Sequence, residues 1–533
     1  MDPVFPDLLA HEASARVDLR ALSQALVFTF AAGGAQEVFD DVVAGARLPA
    51  TSWDRADFAR DVYLDDLVTR CLEVRVGPKT IPSNARWMAR VLGEPPRDVR
   101  DIELRREVLR ELAASKEHRE QLEQVHGVVS RVRALLCTTR PLSQRGRRIE
   151  ILRTVREAFE LLAASFEGAT SALSRLRAFG QAVTTSEGHK RLVSLLDHDE
   201  HMGSLDLRVR VGADGEVRAM ELVRVHEDRD NPFHVGALRR FWARVVLFFR
   251  GYRTTPGEVA ERLLSDVLTG IEEPVALLFQ VLGDAEVVLA SLSFRDHAHV
   301  EGLPMCLPEL APAGEAIVLE GLFNPLLLAA GVHPVACDVR AGPGAVVVVT
   351  GPNSGGKTRL LQGIAIAQCM ACAGLFAPIR AGRVPRATGL FASLYEEPRP
   401  DAPEGHLGME LLRIRRLFER LDTGAVVVID ELCSGTNPSE GEEIARLVLS
   451  LLPDLGVQTF VTTHLLQFAA RLAQEKTIAG LDFLQVDLDA KERPTYRFVP
   501  GVAKTSLAQK TAARLGVTRE ELLERIARKR AAQ

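Results

Sequence analysis

AVVVVTGPNSGGKT, residues 345–358, is the stretch that decides the fold of this chain. Val346–Val349 reads as a strand buried on both faces, the pattern of a parallel sheet. Gly351, Gly356, Lys357 and Thr358 then satisfy G-x-x-x-x-G-K-[ST]. The glycines allow backbone N–H groups to close on phosphate oxygens, so Gly351, Pro352, Asn353, Ser354, Gly355 and Gly356 form a cradle. Lys357 can reach β and γ phosphates, and the Thr358 hydroxyl can ligate Mg²⁺. LLQGIAIAQCMACAGL (360–375) reads as the following helix, whose N-terminus favours anions. Strand, loop and helix in register imply binding of a nucleoside triphosphate.

Downstream, GAVVVIDE (424–431) is a second apolar strand ending in two carboxylates. Asp430 is placed to hold the Mg²⁺ shell, and Glu431, one residue on, to polarise an attacking water as general base. TFVTTH (459–464) is a third strand, ending in His464, which reads as a γ-phosphate sensor. Between them, LCSGTNPSEGEEIA (432–445) turns into a helix expected to start at Ser439, with Glu442 at the capping-box position. Strands are expected at 345–350, 425–429 and 458–462.

Upstream, the pattern is mostly helical. DVRDIELRREVLRELAASKEHREQLEQVHGVVSRVRALL (98–136) places apolar residues at i, i+3, i+4 and i+7. LDLRVRVG–ADG–EVRAMELVRV (205–225) alternates on both arms around Asp-Gly and predicts a β-hairpin. Helices resume at 236–270 and 275–294, and a Pro-rich stretch, LPMCLPELAPAG (303–314), marks a boundary. The 533 residues suffice for several domains. A net charge of −5 means any nucleic-acid contact must be a local patch. Seven scattered cysteines argue against a disulfide framework. Cys369 and Cys372 form a C-x-x-C inside the helix after the loop, where small core packing is expected. No apolar run is expected to approach the roughly 18 residues of a membrane span; the closest, FWARVVLFF (241–249), is short and flanked by arginines. No signal-type segment opens the chain, so a cytoplasmic protein without membrane contact is expected.

The order of phosphate loop, acidic strand end and His strand end resembles an ABC-type ATPase, and its wording resembles the MutS family of DNA mismatch-repair ATPases. TGPNSGGKT is similar to that family's TGPNMGGKS, DELCSGTNPSEG to its DEL-G-x-GT segment, and VTTH to its A/T-TH strand end. FNPLLLAAGVHPVACDV (323–339) carries the matching His333-Pro334 pair, and RWMARVLGEPPRDVRDIELRREVLREL (86–112) resembles the family's core pattern. GVAKTSLAQKTAARLGVTREELLERIARK (501–529) resembles its C-terminal helical pair. The resemblance implies an α/β plus mostly α fold: an N-terminal helical region (1–83), a helical core and lever domain with a β-hairpin (84–302), an ABC-type P-loop ATPase domain (303–500) and a dimerisation segment (501–533). It implies ATP with Mg²⁺ bound by Gly351–Thr358 and Asp430, catalysis by Glu431 and His464, a homodimer, and coupling to mismatched or branched double-stranded DNA.

The chain departs from that pattern in its first 80 residues, which show no Phe-x-Glu reading motif and are too short for recognition and connector domains. DAPEGHLGMELLRIRRL (401–417), the counterpart of a segment offered across the dimer, keeps Glu410 and Arg413 but has no Ser or Thr, so slow hydrolysis is expected. No C-terminal nuclease-like extension is expected. The one dense basic run, RVRALLCTTRPLSQRGRRIEILRTVR (131–156), places a loop at SQRGRR and reads either as a solvated helix face plus turn or as a clamp in which Arg145, Arg147 and Arg148 hold DNA phosphates. An ATP-switched scaffold acting on a protein or ribosomal partner is the rival reading.

Overall fold

A computed structural model describes residues 4–138, 144–201, 204–211, 217–226, 264–394, 405–432, 437–504 and 518–531, except 35, 78 and 266. Two compact units form: residues 1–8, 12–47 and 111–285, and residues 9–11, 48–110 and 286–533. Long-range hydrogen bonds tie 48–110 into the second unit. Trp53 Nε1 donates to the Ala387 carbonyl at 2.9 Å, and Arg105 Nη1 to the Ala373 carbonyl at 3.0 Å.

The first unit is helical. Ser115 caps helix Lys116–Cys137, its side chain accepting from His118 N, and Leu122, Val125, Val129, Val132 and Leu136 form the buried stripe. Gln144–Ala164 and Leu173–Thr185 cross so closely that a Cβ on Gly180 would sit 2.4 Å from Ala163 N. The residues expected to loop at 144–148 are helical, and only 139–143 of that connection lie outside the described residues. The hairpin is present as Ser204–Val211 paired antiparallel with Val217–His226, its turn lying outside the described residues. The helices expected at 236–263 also fall outside them, as does FWARVVLFF. Arg16 is fully buried between Asp7 and Asp284, an arrangement in which each charge offsets the desolvation of the next.

Helix Glu272–Val300 corrects the expectation that no run is long and apolar enough for a membrane span: its best 18-residue window has a mean hydropathy of 1.8. That window is wholly buried, as in a core helix. Gln280, Asp284, Glu286, Ser291 and Ser293 along it are buried, and Gln280, Asp284, Glu286 and Ser293 take polar partners from other segments.

The second unit is built on a six-stranded sheet. Its strands are β1 (Val346–Thr350), β2 (Leu390–Ser393), β3 (Val426–Ile429), β4 (Gln458–Thr462), β5 (Leu481–Leu488) and β6 (Pro494–Pro500), in the order β2-β3-β4-β1-β5-β6. All neighbours are parallel except β5 and β6. Valine-rich β1 and β3 and the QTFVT strand β4 are buried along their whole length, as expected for strands covered on both faces by helices. Leu417, Leu449, Leu452 and Leu472 pack against Val346, Val348, Val427 and Val461. A second, four-stranded sheet orders Glu309–Ala311, Ala381–Pro385, Ile317–Leu322 and Cys337–Ala341. Cys369 and Cys372 are buried in helix Lys357–Cys372, and burial pushes the Cys372 thiol up to about 11, in keeping with a packing role.

Candidate functional site

Register decides which side chains meet. Ile429 pairs with Val461 and Val461 with Val348, so the carboxyl ends of β3, β4 and β1 finish level. Parallel sheets gather ligands at that edge. Here the edge carries Gly351, Asp430, Glu431 and Thr462.

The loop leaving β1 is shaped by left-handed backbone. Gly351 has φ 143°, and a Cβ there would lie 2.5 Å from Val486 Cγ2 on β5. Gly356, at φ 90°, turns the chain into helix Lys357–Cys372 without a side-chain cap, leaving the first-turn N–H groups directed at the loop. Lys357 Nζ donates to the carbonyls of Gly351 at 3.1 Å and Pro352 at 3.3 Å. Burial lowers its pKa, against the raising influence of Glu431 and Asp430.

Thr358 Oγ1 donates to Asp430 Oδ2 at 2.5 Å, across the intervening β4. The other carboxylate oxygen of Asp430 accepts from Thr462 Oγ1, and Thr462 Oγ1 in turn accepts from Glu431 N at 2.9 Å. Glu431 has φ 55°, a left-handed conformation that directs its side chain off the strand line. Its carboxylate reaches the cavity wall, and His464 Nδ1 lies 3.9 Å from Oε2. The sequence-predicted residues of all three strand ends therefore meet in one place.

That place opens into a cavity of about 700 Å³. Asn353 to Thr358 and Glu431 line it together with Phe323, Leu327, Val332, Pro334, Val335 and Tyr496. The size and the mixture of polar and apolar lining suit a nucleotide. Among the described residues no group of three His, Cys, Asp or Glu is arranged for a metal ion. The Thr358–Asp430 pair fits Mg²⁺, which draws most of its ligands from phosphates and water.

Two residues of this site escape a reading of the sequence. Thr462 is a common strand residue whose role depends on β4 lying between β1 and β3. Asn324 is buried and spans two elements, its Nδ2 donating to the Arg359 carbonyl at 3.0 Å and to Gln362 Oε1 at 2.8 Å. Its only sequence signal is Asn-Pro at a helix start, where its side chain accepts from Leu326 N. The helix after the acidic strand is likewise capped by Asn437, not by Ser439, and Glu442 pairs with Arg471 and closes no capping box.

The segment expected to cross a dimer is helical over Gly405–Arg420, while 401–404 lie outside the described residues. Glu410 is buried there, and Arg413 Nη1 donates to Ser393 Oγ at 2.9 Å. The arginines expected to clamp DNA are placed otherwise. Arg147 is 4% exposed and donates to the carbonyls of Thr29 and Phe30, both at 2.9 Å, and of Leu135 at 3.2 Å. Arg148 is also buried, its Nε donating to the Phe30 carbonyl at 3.2 Å. Both guanidinium groups satisfy carbonyls at helix C-termini, where a cation is favoured, and neither is presented to a phosphate chain. The Arg145 side chain lies outside the described residues.

Residues 347–531 match the family described as MutS domain V. The chain is 32% identical over 243 residues to Endonuclease MutS2 of Streptococcus gordonii, covering 45% of this chain and 29% of that protein. It is 32% identical over 269 residues to Endonuclease MutS2 of Thermus thermophilus, covering 50% of this chain and 33% of that protein. The protein of the same name from Gemmatimonas aurantiaca is 31% identical over 277 residues, again 50% and 33%. The chain thus spans about a third of the length of these relatives.

Proposed function

We propose that this chain, a MutS-family protein, is an ATPase whose turnover is coupled to a structured or mismatched DNA duplex. The observation that carries the ATPase reading is the meeting of Thr358 and Asp430 at the mouth of the phosphate loop. Mg²⁺, when bound, would neutralise charge on the β and γ phosphates. Thr358 and Asp430 would hold it, replacing their mutual hydrogen bond. Lys357 would exchange the carbonyls of Gly351 and Pro352 for phosphate oxygens, a charge-assisted pairing. Glu431 would hold the attacking water and take its proton. His464, beyond Glu431, would contact the γ-phosphate. A homodimer sharing nucleotides across its interface fits the family, and segment 401–417, without Ser or Thr, fits slow hydrolysis.

The DNA part rests on the family resemblance. It is tested by fluorescence anisotropy at fixed salt, with and without ATP, on homoduplex, mismatched duplex, four-way junction and single strand. A nucleotide-dependent preference for one form supports it. The inward placement of Arg147 and Arg148 favours the rival, an ATP-switched scaffold for a protein or ribosomal partner. ATP turnover unchanged by every DNA in the panel would select that rival.

A further inference from the structure

Thr462 lies at the end of β4, fully buried, and its single hydroxyl is used twice. It donates to Asp430 Oδ1 and accepts from Glu431 N at 2.9 Å. The two residues it grips are those to which the ATPase reading gives the cation and the water. We propose that Thr462 is a positioning residue for this reaction, fixing the Asp430 carboxylate and the left-handed backbone of Glu431 through one hydroxyl. The proposal rests on the ATPase reading and deepens it.

The geometry explains why one anchor matters. Asp430 is held at three points: its N–H donates to the Ser393 carbonyl at 2.8 Å, Oδ2 accepts from Thr358, and Oδ1 accepts from Thr462. When Thr358 turns to a cation, the second of these is lost. Thr462 then remains the side-chain partner that keeps Oδ1 in place and leaves Oδ2 facing the phosphate loop. At the same time Glu431, at φ 55°, sits where a non-glycine residue pays a conformational penalty. The bond from its N–H to Thr462 Oγ1 offsets that penalty and sets the direction of the general base. Losing the hydroxyl would let both carboxylates drift, and sub-ångström placement matters at such sites.

The test compares wild type with Thr462→Val and Thr462→Ser. The readouts are steady-state ATP turnover, split into kcat and KM, and the affinity of a fluorescent ATP analogue with Mg²⁺ and with EDTA. Thr462→Val should lower kcat about 30-fold or more while KM moves less than about 3-fold. It should also remove most of the gain in analogue affinity that Mg²⁺ gives wild type, leaving affinity in EDTA unchanged. Thr462→Ser, which keeps the hydroxyl, should restore both to within about 3-fold of wild type. Thermal melting followed by circular dichroism checks that both variants fold; the serine rescue stays decisive even if valine loosens the strand. Wild-type kcat in Thr462→Val, or no rescue by serine, overturns the proposal. A wild type that binds the analogue with Mg²⁺ but does not turn over sinks the ATPase reading and the reaction role with it, while the Mg²⁺-dependent affinity of Thr462→Val separately decides whether Thr462 holds Asp430. No analogue binding by wild type overturns both.

Discussion

Thr358 Oγ1 and Asp430 Oδ2 lie 2.5 Å apart although 72 residues separate them in the chain. The contact depends on β1 and β3 flanking β4 with level ends. Asp430→Asn keeps the shape and removes the charge. In that variant the affinity of a fluorescent ATP analogue in EDTA should equal wild type, while the increase on adding Mg²⁺ should fall about 10-fold or more. A full Mg²⁺ response would exclude Asp430 from the cation shell.

Substitutions at Glu431 and Lys357 would separate chemistry from binding. Glu431→Gln should bind the analogue like wild type and turn ATP over about 10²- to 10⁴-fold more slowly, the range for loss of a general base. Lys357→Met should lose analogue binding itself, because the only cation resting on the loop carbonyls among the described residues is gone. Equal turnover in wild type and Glu431→Gln would remove Glu431 from the chemistry.

Local features were readable and non-local ones were not. Strands β1, β3 and β4 fall within a residue of where the apolar, largely β-branched runs put them, because such runs next to turn residues leave few alternatives. The phosphate loop was equally legible, since its glycines answer to local backbone demands such as φ 90° at Gly356. Thr462 needed the strand order, which no local pattern encodes. The charge at Arg147 was plain in the sequence, but its acceptors, Thr29 and Phe30, lie more than a hundred residues upstream. A run of arginines reads the same whether it faces water or closes helix ends.

Arg147 therefore predicts a stability effect. Arg147→Ala leaves the carbonyls of Thr29, Phe30 and Leu135 without their charged donor in a buried setting. Hydrogen bonds to charged groups contribute roughly 1.5–3 kcal/mol each before relaxation, so a loss of about 3 kcal/mol is expected in urea unfolding. Should the protein bind DNA, the salt slope of that binding in folded Arg147→Ala should match wild type. A slope reduced by about one would return Arg147 to the phosphate contacts.

Acid sensitivity of the first unit should come from His126. The ring is fully buried in helix Lys116–Cys137, and burial, with a smaller push from Arg133, lowers its pKa to about 4. The unfolded chain takes up that proton near pH 6.5, so His126 contributes stability that is present above 6.5 and lost as pH falls toward 4. At pH 5 the loss amounts to about 2 kcal/mol, from 1.36 kcal/mol per pH unit. Asp284 has the opposite sign. Burial, opposed by Arg16, holds it up at about 6, so its contribution is present below the usual carboxylate range and fades as pH rises through 6. The two partly cancel in wild type between pH 4 and 6. His126→Leu should uncover the Asp284 slope, so that this variant gains stability on going from pH 7 to pH 5 while Asp284→Asn loses more than wild type. Urea midpoints followed by circular dichroism at the two pH values decide it; parallel shifts in wild type and His126→Leu would mean that another group carries the acid response.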